Sequence, residues 1–323
     1  MRKVRLGKTD LQVSVIAFGT WSFGGDWGAF DADEAKKTVA RALDLGITFF
    51  DTAQGYGFGE SERFLADALW STVRRDGVVL ATKGGLRKDG EALHRDASAR
   101  WLREGVDSSL RNLRTDYIDL YQVHWPDPKT PVEETGRVLA DLVREGKIRH
   151  AGVSNYSPRQ MTELAQYGPV ETDQPPYHML HRDIEAEVLP YAERNDIGVL
   201  VYGPLAHGLL SGTMTLETTF PAGDWRGTSA DFKGERFARD LEVVDRLKQY
   251  AAAREITLPQ LAVAWTISNP AVDVAIVGAR HPAHLDDPVA AADIRLAPSD
   301  RDEIDEILAN AVEVVGPAPE AMP

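Results

Sequence analysis

The sequence predicts an α/β fold, a single (β/α)8 TIM barrel over residues 1–323, from three observations. Eight short apolar runs recur with little alternation, which is typical of parallel strands buried on both faces. Amphipathic helical segments separate these runs, and such alternation of strand and helix favours a barrel. The length of 323 residues lies within the range of one barrel domain.

The eight predicted strands are rich in apolar and β-branched residues. They are numbered one to eight along the chain, and turn or helix signals flank each of them. In order they are VSVIAFG (13–19), ITFFD (47–51), VVLATK (78–83), YIDLYQVHW (117–125), IRHAGVSN (148–155), VETDQ (170–174), IGVLVYG (197–203) and VDVAIVG (272–278).

The segments between the strands carry helix signals. DADEAKKTVARALDLG (31–46) has an apolar stripe and a stop signal at Gly46. Ser157 and Pro158 have the order expected at the start of a helix. The first residues, KVRLGKTDLQV (3–13), predict a small hairpin that plugs the bottom of the barrel.

Two stretches depart from the regular alternation. Between strands seven and eight, residues 206–238 are rich in Gly, Thr and Pro, and a loop of that length is usually functional. Two predicted helices follow it, at 241–256 and 258–269. Beyond strand eight, residues 299–312 predict an extra C-terminal helix, and residues 316–323 are expected to form a flexible tail.

Composition limits the function. The formal net charge of −14 argues against non-specific binding to nucleic acid or to anionic membranes. The absence of cysteine excludes disulfides, thiolate metal sites and cysteine nucleophiles. Neither a signal peptide nor a transmembrane stretch is evident, so a cytoplasmic protein is predicted.

Polar side chains stand at the end of strand after strand. Because barrel enzymes place catalytic residues at the carboxyl ends of several strands, these side chains would surround one pocket. Each also has a structural alternative: Asp51 can cap a helix, Lys83 can be an exposed loop residue, and Tyr56 can pack on the core. The strand-end residues are Asp51, Tyr56, Lys83, His124, Asn155, Gln174, Tyr202 and Arg280.

Four of these residues suit proton transfer to a developing alkoxide. A free tyrosine has a pKa near ~10, and a lysine ammonium beside the phenol would lower that value. An aspartate would hold the ammonium in place, and a histidine N–H would polarise a carbonyl oxygen. The set holds no nucleophile paired with a base and no convincing cluster of metal ligands, so neither acyl transfer nor a metal site is predicted.

A carbonyl reduction also needs a source of hydride. The Rossmann motif G-x-G-x-x-G is absent, because GYGFGE (55–60) lacks the third glycine. A nicotinamide could instead lie across the barrel mouth, with its carboxamide on Asn155 and Gln174 and its ring on Tyr202. Alternatively, Asn155 is only a turn residue before the next helix.

These residues and their neighbours resemble the aldo-keto reductase family, most closely its bacterial general-stress-protein branch. The resemblance implies reduction of an aldehyde or ketone to an alcohol by NADPH, with the tetrad Asp51, Tyr56, Lys83 and His124 and with Tyr56 as general acid. The matching motifs cover nearly the whole chain: WSFGG (21–25), DTAQGYGFGESE (51–62), ATKGG (81–85), YIDLYQVHWPD (117–127), GKIRHAGVSNYS (146–157), QPPYH (174–178), VYGPLAHGLLSG (201–212) and VGARHPAHL (277–285).

The resemblance also implies contacts with the cofactor and the substrate. Arg280 and His281 correspond to the region that holds the adenosine 2′-phosphate, and a guanidinium suits phosphate. The loop 206–238 would fold over the cofactor. The implied substrate contacts are Trp21, Tyr56, His124 and Trp125, and the implied cofactor contacts are Gly19, Thr20, Trp21, Asp51, Ser154, Asn155, Gln174, Tyr202, Gly203, Pro204, Leu205, Gly208, Gly278, Arg280, His281 and His284.

One stretch departs from the family pattern. Where many relatives read Q-L-x-x-N, this chain reads HLDDP, so His284 and Pro288 replace Gln and Asn. Asp286 and Asp287 add negative charge close to the expected phosphate site. We therefore expect NADPH to bind more weakly than in relatives while remaining preferred over NADH, which is also possible as a cofactor.

Two other functions compete with a carbonyl reductase. The same fold serves as an NAD(P)H-binding regulatory subunit of potassium channels, although the chain begins directly at the predicted hairpin, which favours the enzyme. A lyase with Lys83 as a Schiff-base residue would need a neutral lysine, whereas a nearby Asp51 would keep it charged. The expected partner is a small carbonyl compound, and the sequence identifies neither that compound nor the oligomeric state.

Overall fold

Eight strands close into a parallel barrel in the computed structural model, which describes residues 1–90, 92–309 and 311–312. This confirms the predicted fold class; the predicted tail, 316–323, lies outside the described residues. The strands are β1 (Lys3–Arg5), β2 (Gln12–Ser14), β3 (Ile16–Gly19), β4 (Phe49–Asp51), β5 (Val79–Gly84), β6 (Leu86–Asp89), β7 (Ala92–Arg95), β8 (Ile118–Val123), β9 (Ile148–Ser154), β10 (Thr172–Gln174), β11 (Gly198–Tyr202) and β12 (Val274–Gly278).

The barrel consists of β3, β4, β5, β8, β9, β10, β11 and β12, with β12 pairing back onto β3. All eight predicted strands are present, and β5 ends one residue later than predicted. The parallel register brings the strand ends to one rim. The register pairs there are Gly19–Asp51, Asp51–Ala81, Lys83–Gln122, Ser154–Gln174 and Gly19–Gly278.

Helices cover the outside of the barrel. Side-chain caps mark several of their starts: Asp31 accepts hydrogen bonds from two backbone N–H groups, and Ser157 and Thr257 form capping boxes. The helices are α1 (Ala32–Asp44), α2 (Glu60–Leu69), α3 (Ala99–Leu113), α4 (Val132–Arg144), α5 (Pro158–Leu164), α6 (Val188–Arg194), α7 (Gly234–Ala252), α8 (Leu258–Ile267), α9 (Asp286–Ala290) and α10 (Pro298–Leu308).

The long loop before α7 is shorter than predicted. The helix begins at Gly234 instead of residue 241, because Phe237 on its first turns is buried against Phe232. Between β11 and α7 the chain forms three short 3-10 turns, at Ala206–Ser211, Trp225–Gly227 and Ala230–Phe232.

The two small hairpins lie at opposite ends of the barrel. The predicted one, β1 and β2, packs Leu6, Leu11 and Val13 against the residues that fill the barrel interior, so it closes the lower end. The second, β6 and β7, follows β5 at the rim and was not predicted. Its sequence is dominated by charged residues and lacks the apolar alternation that indicates strands. In the described part of the chain, no helix is long and apolar enough to cross a membrane.

Candidate active site

Lys83 is at the centre of the polar cluster on the rim. Its ammonium is buried and donates hydrogen bonds to Asp51 Oδ1 at 2.6 Å and to the carbonyl oxygen of Thr52 at 2.9 Å. The third contact of Nζ is the hydroxyl of Tyr56, at 3.4 Å. An ammonium at this distance stabilises the phenolate form of the tyrosine. The structure therefore brings together the three residues that the sequence analysis assigned to proton transfer.

Asp51 is held from a second side. Gln174 at the end of β10 donates its amide N–H to Asp51 Oδ2 at 2.9 Å. Burial raises the pKa of the Asp51 carboxyl. The charge of Lys83 and the hydrogen bonds from Lys83 and Gln174 oppose that effect. A buried ion pair needs hydrogen bonds to offset the cost of desolvation. Gln174 therefore helps to keep the Asp51–Lys83 pair ionised.

The loop that carries Tyr56 has an unusual backbone. Gly57, Phe58 and Gly59 follow it with φ values of 60°, 48° and 95°, a region that a bulky residue such as phenylalanine seldom adopts. On the other side Gly24 packs so closely that a Cβ there would lie 2.9 Å from the Tyr56 backbone. Contacts from the loop after β3 therefore fix the position of the tyrosine.

His124 lies beside the tyrosine. It is buried one residue past β8, and its ring meets the Tyr56 ring edge to face at 5.7 Å. Burial, and after it the charge of Lys83, lowers the pKa of His124 well below its ordinary value. The imidazole is therefore neutral at pH 7, and it can donate an N–H to a substrate oxygen without losing a proton.

A second group of polar residues adjoins the tetrad, because Asn155 Nδ2 donates to the carbonyl oxygen of His124 at 3.2 Å. Tyr202 OH donates to Asn155 Oδ1 at 2.9 Å, and Asn155 Nδ2 donates to Ser154 Oγ at 3.0 Å. Asn155 has a φ of 63°, which asparagine tolerates better than most residues. Ser154 Oγ in turn donates to the carbonyl oxygen of Gln174 at 2.7 Å. These contacts hold the ends of β9, β10 and β11 together.

A cleft of about 520 Å³ runs from the tetrad to the residues beyond β12. Fourteen of the residues predicted to bind cofactor or substrate line it. They are Gly19, Thr20, Trp21, Asp51, Tyr56, Gln174, Tyr202, Gly203, Pro204, Leu205, Gly208, Gly278, Arg280 and His284.

Several predicted residues do not line this cleft. Lys83 and Ser154 are buried in contact with Asp51 and Gln174, which do line it. His124 is 4% exposed beside Tyr56, and Asn155 accepts a hydrogen bond from Tyr202. Trp125 is 4% exposed and packs under the guanidinium of Arg95. The imidazole of His281 turns towards Glu34, 3.5 Å away.

Other cleft residues were missing from the predicted site. Arg226 and His207 come from the loop after β11. Arg226 forms a two-pronged ion pair with Asp224, at 3.0 and 2.6 Å, and donates to the carbonyl oxygen of His207 at 3.1 Å. The sequence signal that could have indicated Arg226 is the pairing of a basic with an aromatic residue in TFPAGDWRG (219–227), within a stretch rich in glycine and proline.

The far end of the cleft contains both signs of charge. Arg280 Nη1 donates to the carbonyl oxygens of Trp27 and Ala29, at 3.0 and 3.4 Å. Asp287 lines the same end and accepts a hydrogen bond from Gln260 at 3.2 Å. A phosphate bound here would meet one guanidinium already engaged with carbonyl groups and one nearby carboxylate.

A model of the aldo/keto reductase family matches residues 15–309. The chain belongs to this family of oxidoreductases. Over 320 residues it is 42% identical to the aldo-keto reductase YhdN of Bacillus subtilis, covering 98% of this chain and 97% of the relative. It is also 36% identical to an NADH-specific methylglyoxal reductase of Escherichia coli, over 93% of this chain and 96% of that one.

Solved structures agree with the family assignment. A glycerol dehydrogenase from Gluconobacter oxydans superposes with a TM-score of 0.88 at 38% identity, covering 98% of both chains. The predicted resemblance to aldo-keto reductases is therefore confirmed, and so is the barrel that it implies. As a member of the family, the protein uses a nicotinamide cofactor and acts on small molecules.

Proposed function

We propose that this aldo-keto reductase reduces an aldehyde or ketone to an alcohol with NADPH, and that Tyr56 is the general acid. The observation that carries the proposal is the buried chain Asp51–Lys83–Tyr56, with Nζ to oxygen distances of 2.6 and 3.4 Å. A buried ammonium that contacts a phenol hydroxyl on the wall of a cleft stabilises the phenolate that proton donation leaves behind. The neutral imidazole of His124 completes the set of proton and hydrogen-bond donors.

The cleft fits a dinucleotide. Gly203 and Gly208 line it with φ values of 70° and 99°, so backbone N–H groups can approach a pyrophosphate without a Cβ in the way. Arg226 lies next to Gly208, and its guanidinium, which is paired with Asp224, lines the cleft at that point. Tyr202 offers a ring face, and Ser154, Asn155 and Gln174 offer polar groups to a carboxamide. A reduced nicotinamide held by these residues would supply a hydride to the carbonyl carbon.

Side chains of the tetrad supply the proton and stabilise the charges that its transfer creates. Tyr56 donates its hydroxyl proton to the carbonyl oxygen, and the adjacent Lys83 ammonium stabilises the phenolate that remains. His124 donates a hydrogen bond to the same oxygen as negative charge develops on it. The carbonyl carbon gains a hydride and the oxygen gains a proton, which gives the alcohol. Tyr56 then recovers its proton from solvent.

We infer that the 2′-phosphate of NADPH binds to Arg280, which must exchange its backbone carbonyl partners for the phosphate. Arg280→Ala should therefore weaken the binding of NADPH by about tenfold or more and the binding of NADH much less. Titration of tryptophan fluorescence with each nucleotide measures both dissociation constants. Equal weakening of the two nucleotides would show that Arg280 does not recognise the 2′-phosphate. Both nucleotides are compared because the Escherichia coli relative is NADH-specific.

The test of the activity is the loss of NADPH absorbance when the protein is mixed with a reactive aromatic aldehyde. We expect steady oxidation that requires both compounds and yields the corresponding alcohol. Nucleotide binding without any carbonyl reduction over a panel of aldehydes and ketones would contradict the proposal. That outcome would favour the cofactor-binding regulatory function that the sequence left open.

A further inference from the structure

We propose that Asp26 is a positioning residue that fixes the indole of Trp21 as one wall of the carbonyl site and thereby favours aromatic over small aliphatic substrates. This inference rests on the proposed reductase function. Asp26 lies in the loop between β3 and α1, outside the tetrad and outside the residues that line the cleft.

Trp21 has a central position among the rings at the barrel mouth. Its indole lies 6.4 Å from the ring of Tyr56 at an interplanar angle of 32°, and 5.8 Å from the indole of Trp225 at 22°. Trp27 meets it edge to face at 5.0 Å, and His207 does so at 6.0 Å. The plane of Trp21 therefore sets the shape of the space next to the tyrosine hydroxyl.

The exposed side chain of Asp26 makes the polar contact that helps the ring packing to hold that plane. Its Oδ2 accepts a hydrogen bond from Trp21 Nε1 at 3.0 Å. The indole nitrogens of Trp27 and Trp225 are buried, and neither has a hydrogen-bond partner within the described ranges. Among these three indoles, Trp21 is thus the one whose orientation a polar contact defines.

The backbone of Asp26 adds a second link. Its carbonyl oxygen accepts a hydrogen bond from Trp225 N at 3.1 Å, and the neighbouring Trp27 forms a β-bridge with Asp224. One residue therefore connects Trp21 through its side chain and Trp225 through its backbone. These are the two indoles that stack on each other. Partial burial raises the pKa of the Asp26 carboxyl, and the hydrogen bond from Trp21 and the charge of Lys88 oppose that effect.

An ordered Trp21 indole beside Tyr56 should increase the affinity for aryl carbonyl compounds more than the affinity for small aliphatic ones. An aryl group attached to the carbonyl would pack against the ordered rings, and a favourable aromatic pair contributes about three- to tenfold in affinity. A small aliphatic aldehyde makes little such contact. Loss of the Asp26 hydrogen bond should therefore reduce the preference for aryl substrates without removing the catalytic groups.

The test compares Asp26→Leu, which removes the acceptor, with Asp26→Asn, which keeps an amide oxygen in its place. Asp89→Leu, at an exposed carboxylate on β6 of the same rim, is the matched control. For each protein, kcat and KM are measured with benzaldehyde and with propanal. We expect Asp26→Leu to lower the kcat/KM ratio of benzaldehyde to propanal by about tenfold, mainly through KM. Asp26→Asn and the control should stay within about twofold of the wild type.

Near-ultraviolet circular dichroism of the free proteins provides a readout that is independent of activity. We expect a reduced tryptophan signal in Asp26→Leu and a wild-type signal in Asp26→Asn, with unchanged NADPH affinity in both. An unchanged substrate ratio in Asp26→Leu, or equal losses in the Leu and Asn variants, would overturn the inference. Absence of reduction by the wild type would instead refute the proposed function, while the dichroism still tests the position of Trp21.

Discussion

At the scale of single residues, the site depends on charges that are buried and paired. Lys83 is completely buried, and its ammonium has three oxygen contacts, two of which come from the segment Asp51–Thr52. Removing one partner of a buried pair leaves an uncompensated charge, which typically costs about 3–5 kcal/mol. Variants of Asp51 or Lys83 are therefore expected to change both the stability of the fold and the rate of proton transfer. A variant of Tyr56 is expected to change the rate of proton transfer alone.

Asp173 carries a fully buried carboxyl group that is not part of the tetrad. Burial raises its pKa to about 8, and neither carboxyl oxygen has a hydrogen bond of normal geometry with the described residues. The folded protein therefore keeps a proton that the unfolded chain loses near pH 4. As a result, Asp173 reduces stability progressively as the pH rises from about 4 to about 8.

We expect Asp173→Asn to raise the melting temperature at pH 8 by several degrees and to raise it much less at pH 5. Thermal unfolding of the two proteins across this pH range measures the difference. A constant difference at all pH values would show that Asp173 is already ionised in the folded protein.

At the scale of elements, the ends of the strands were predictable, whereas contacts between loops distant in sequence were not. Asp51, Lys83, His124 and Gln174 are placed by strand register, and apolar runs in a sequence of alternating strands and helices define that register. Arg226 reaches the cleft through contacts between two loops far apart in sequence. Such contacts leave no periodic pattern in the sequence.

Arg226 holds the loop after β11 in place. It pairs with the buried Asp224 and packs over the ring of Trp27 at 4.5 Å. We expect Arg226→Leu to weaken NADPH and NADH binding by a similar factor, about tenfold, and to destabilise the protein by on the order of 2 kcal/mol because Asp224 loses its partner. Fluorescence titration and thermal unfolding measure the two effects.

The double variant Asp224→Leu with Arg226→Leu is the control for the buried charge. It should recover part of the lost stability while nucleotide binding stays weak. A selective loss of NADPH binding in Arg226→Leu would instead place this guanidinium at the 2′-phosphate.

At the scale of the whole molecule, one barrel end is closed and the other is functional. Leu6 of the N-terminal hairpin is fully buried against the residues of the barrel interior. We expect Leu6→Ala to lower the free energy of unfolding by about 2–5 kcal/mol, because the cavity cannot be filled by its neighbours. Urea denaturation measures this loss. Leu216→Ala, at a residue that is 69% exposed, should change stability by less than about 0.5 kcal/mol. If the loss of stability in Leu6→Ala were below about 1 kcal/mol, the hairpin would be an accessory to the barrel and not part of its core.

Two of the three cations at the cleft are ion-paired, and the net charge of the chain is −14. Lys83 is paired with Asp51 and Arg226 with Asp224, whereas Arg280 donates to two backbone carbonyl oxygens. An anionic dinucleotide would thus be held by direct contacts in the cleft and not by a positive field around it.

The most direct test of the central claim is the separation of binding from turnover in Tyr56→Phe. We expect this variant to bind NADPH within about twofold of the wild type and to reduce an aromatic aldehyde about 10²–10⁴-fold more slowly. Tyr167→Phe, at a partly exposed surface tyrosine, should behave like the wild type. Equal losses of NADPH binding and turnover in Tyr56→Phe, or turnover that survives the change, would contradict the assignment of Tyr56 as the general acid.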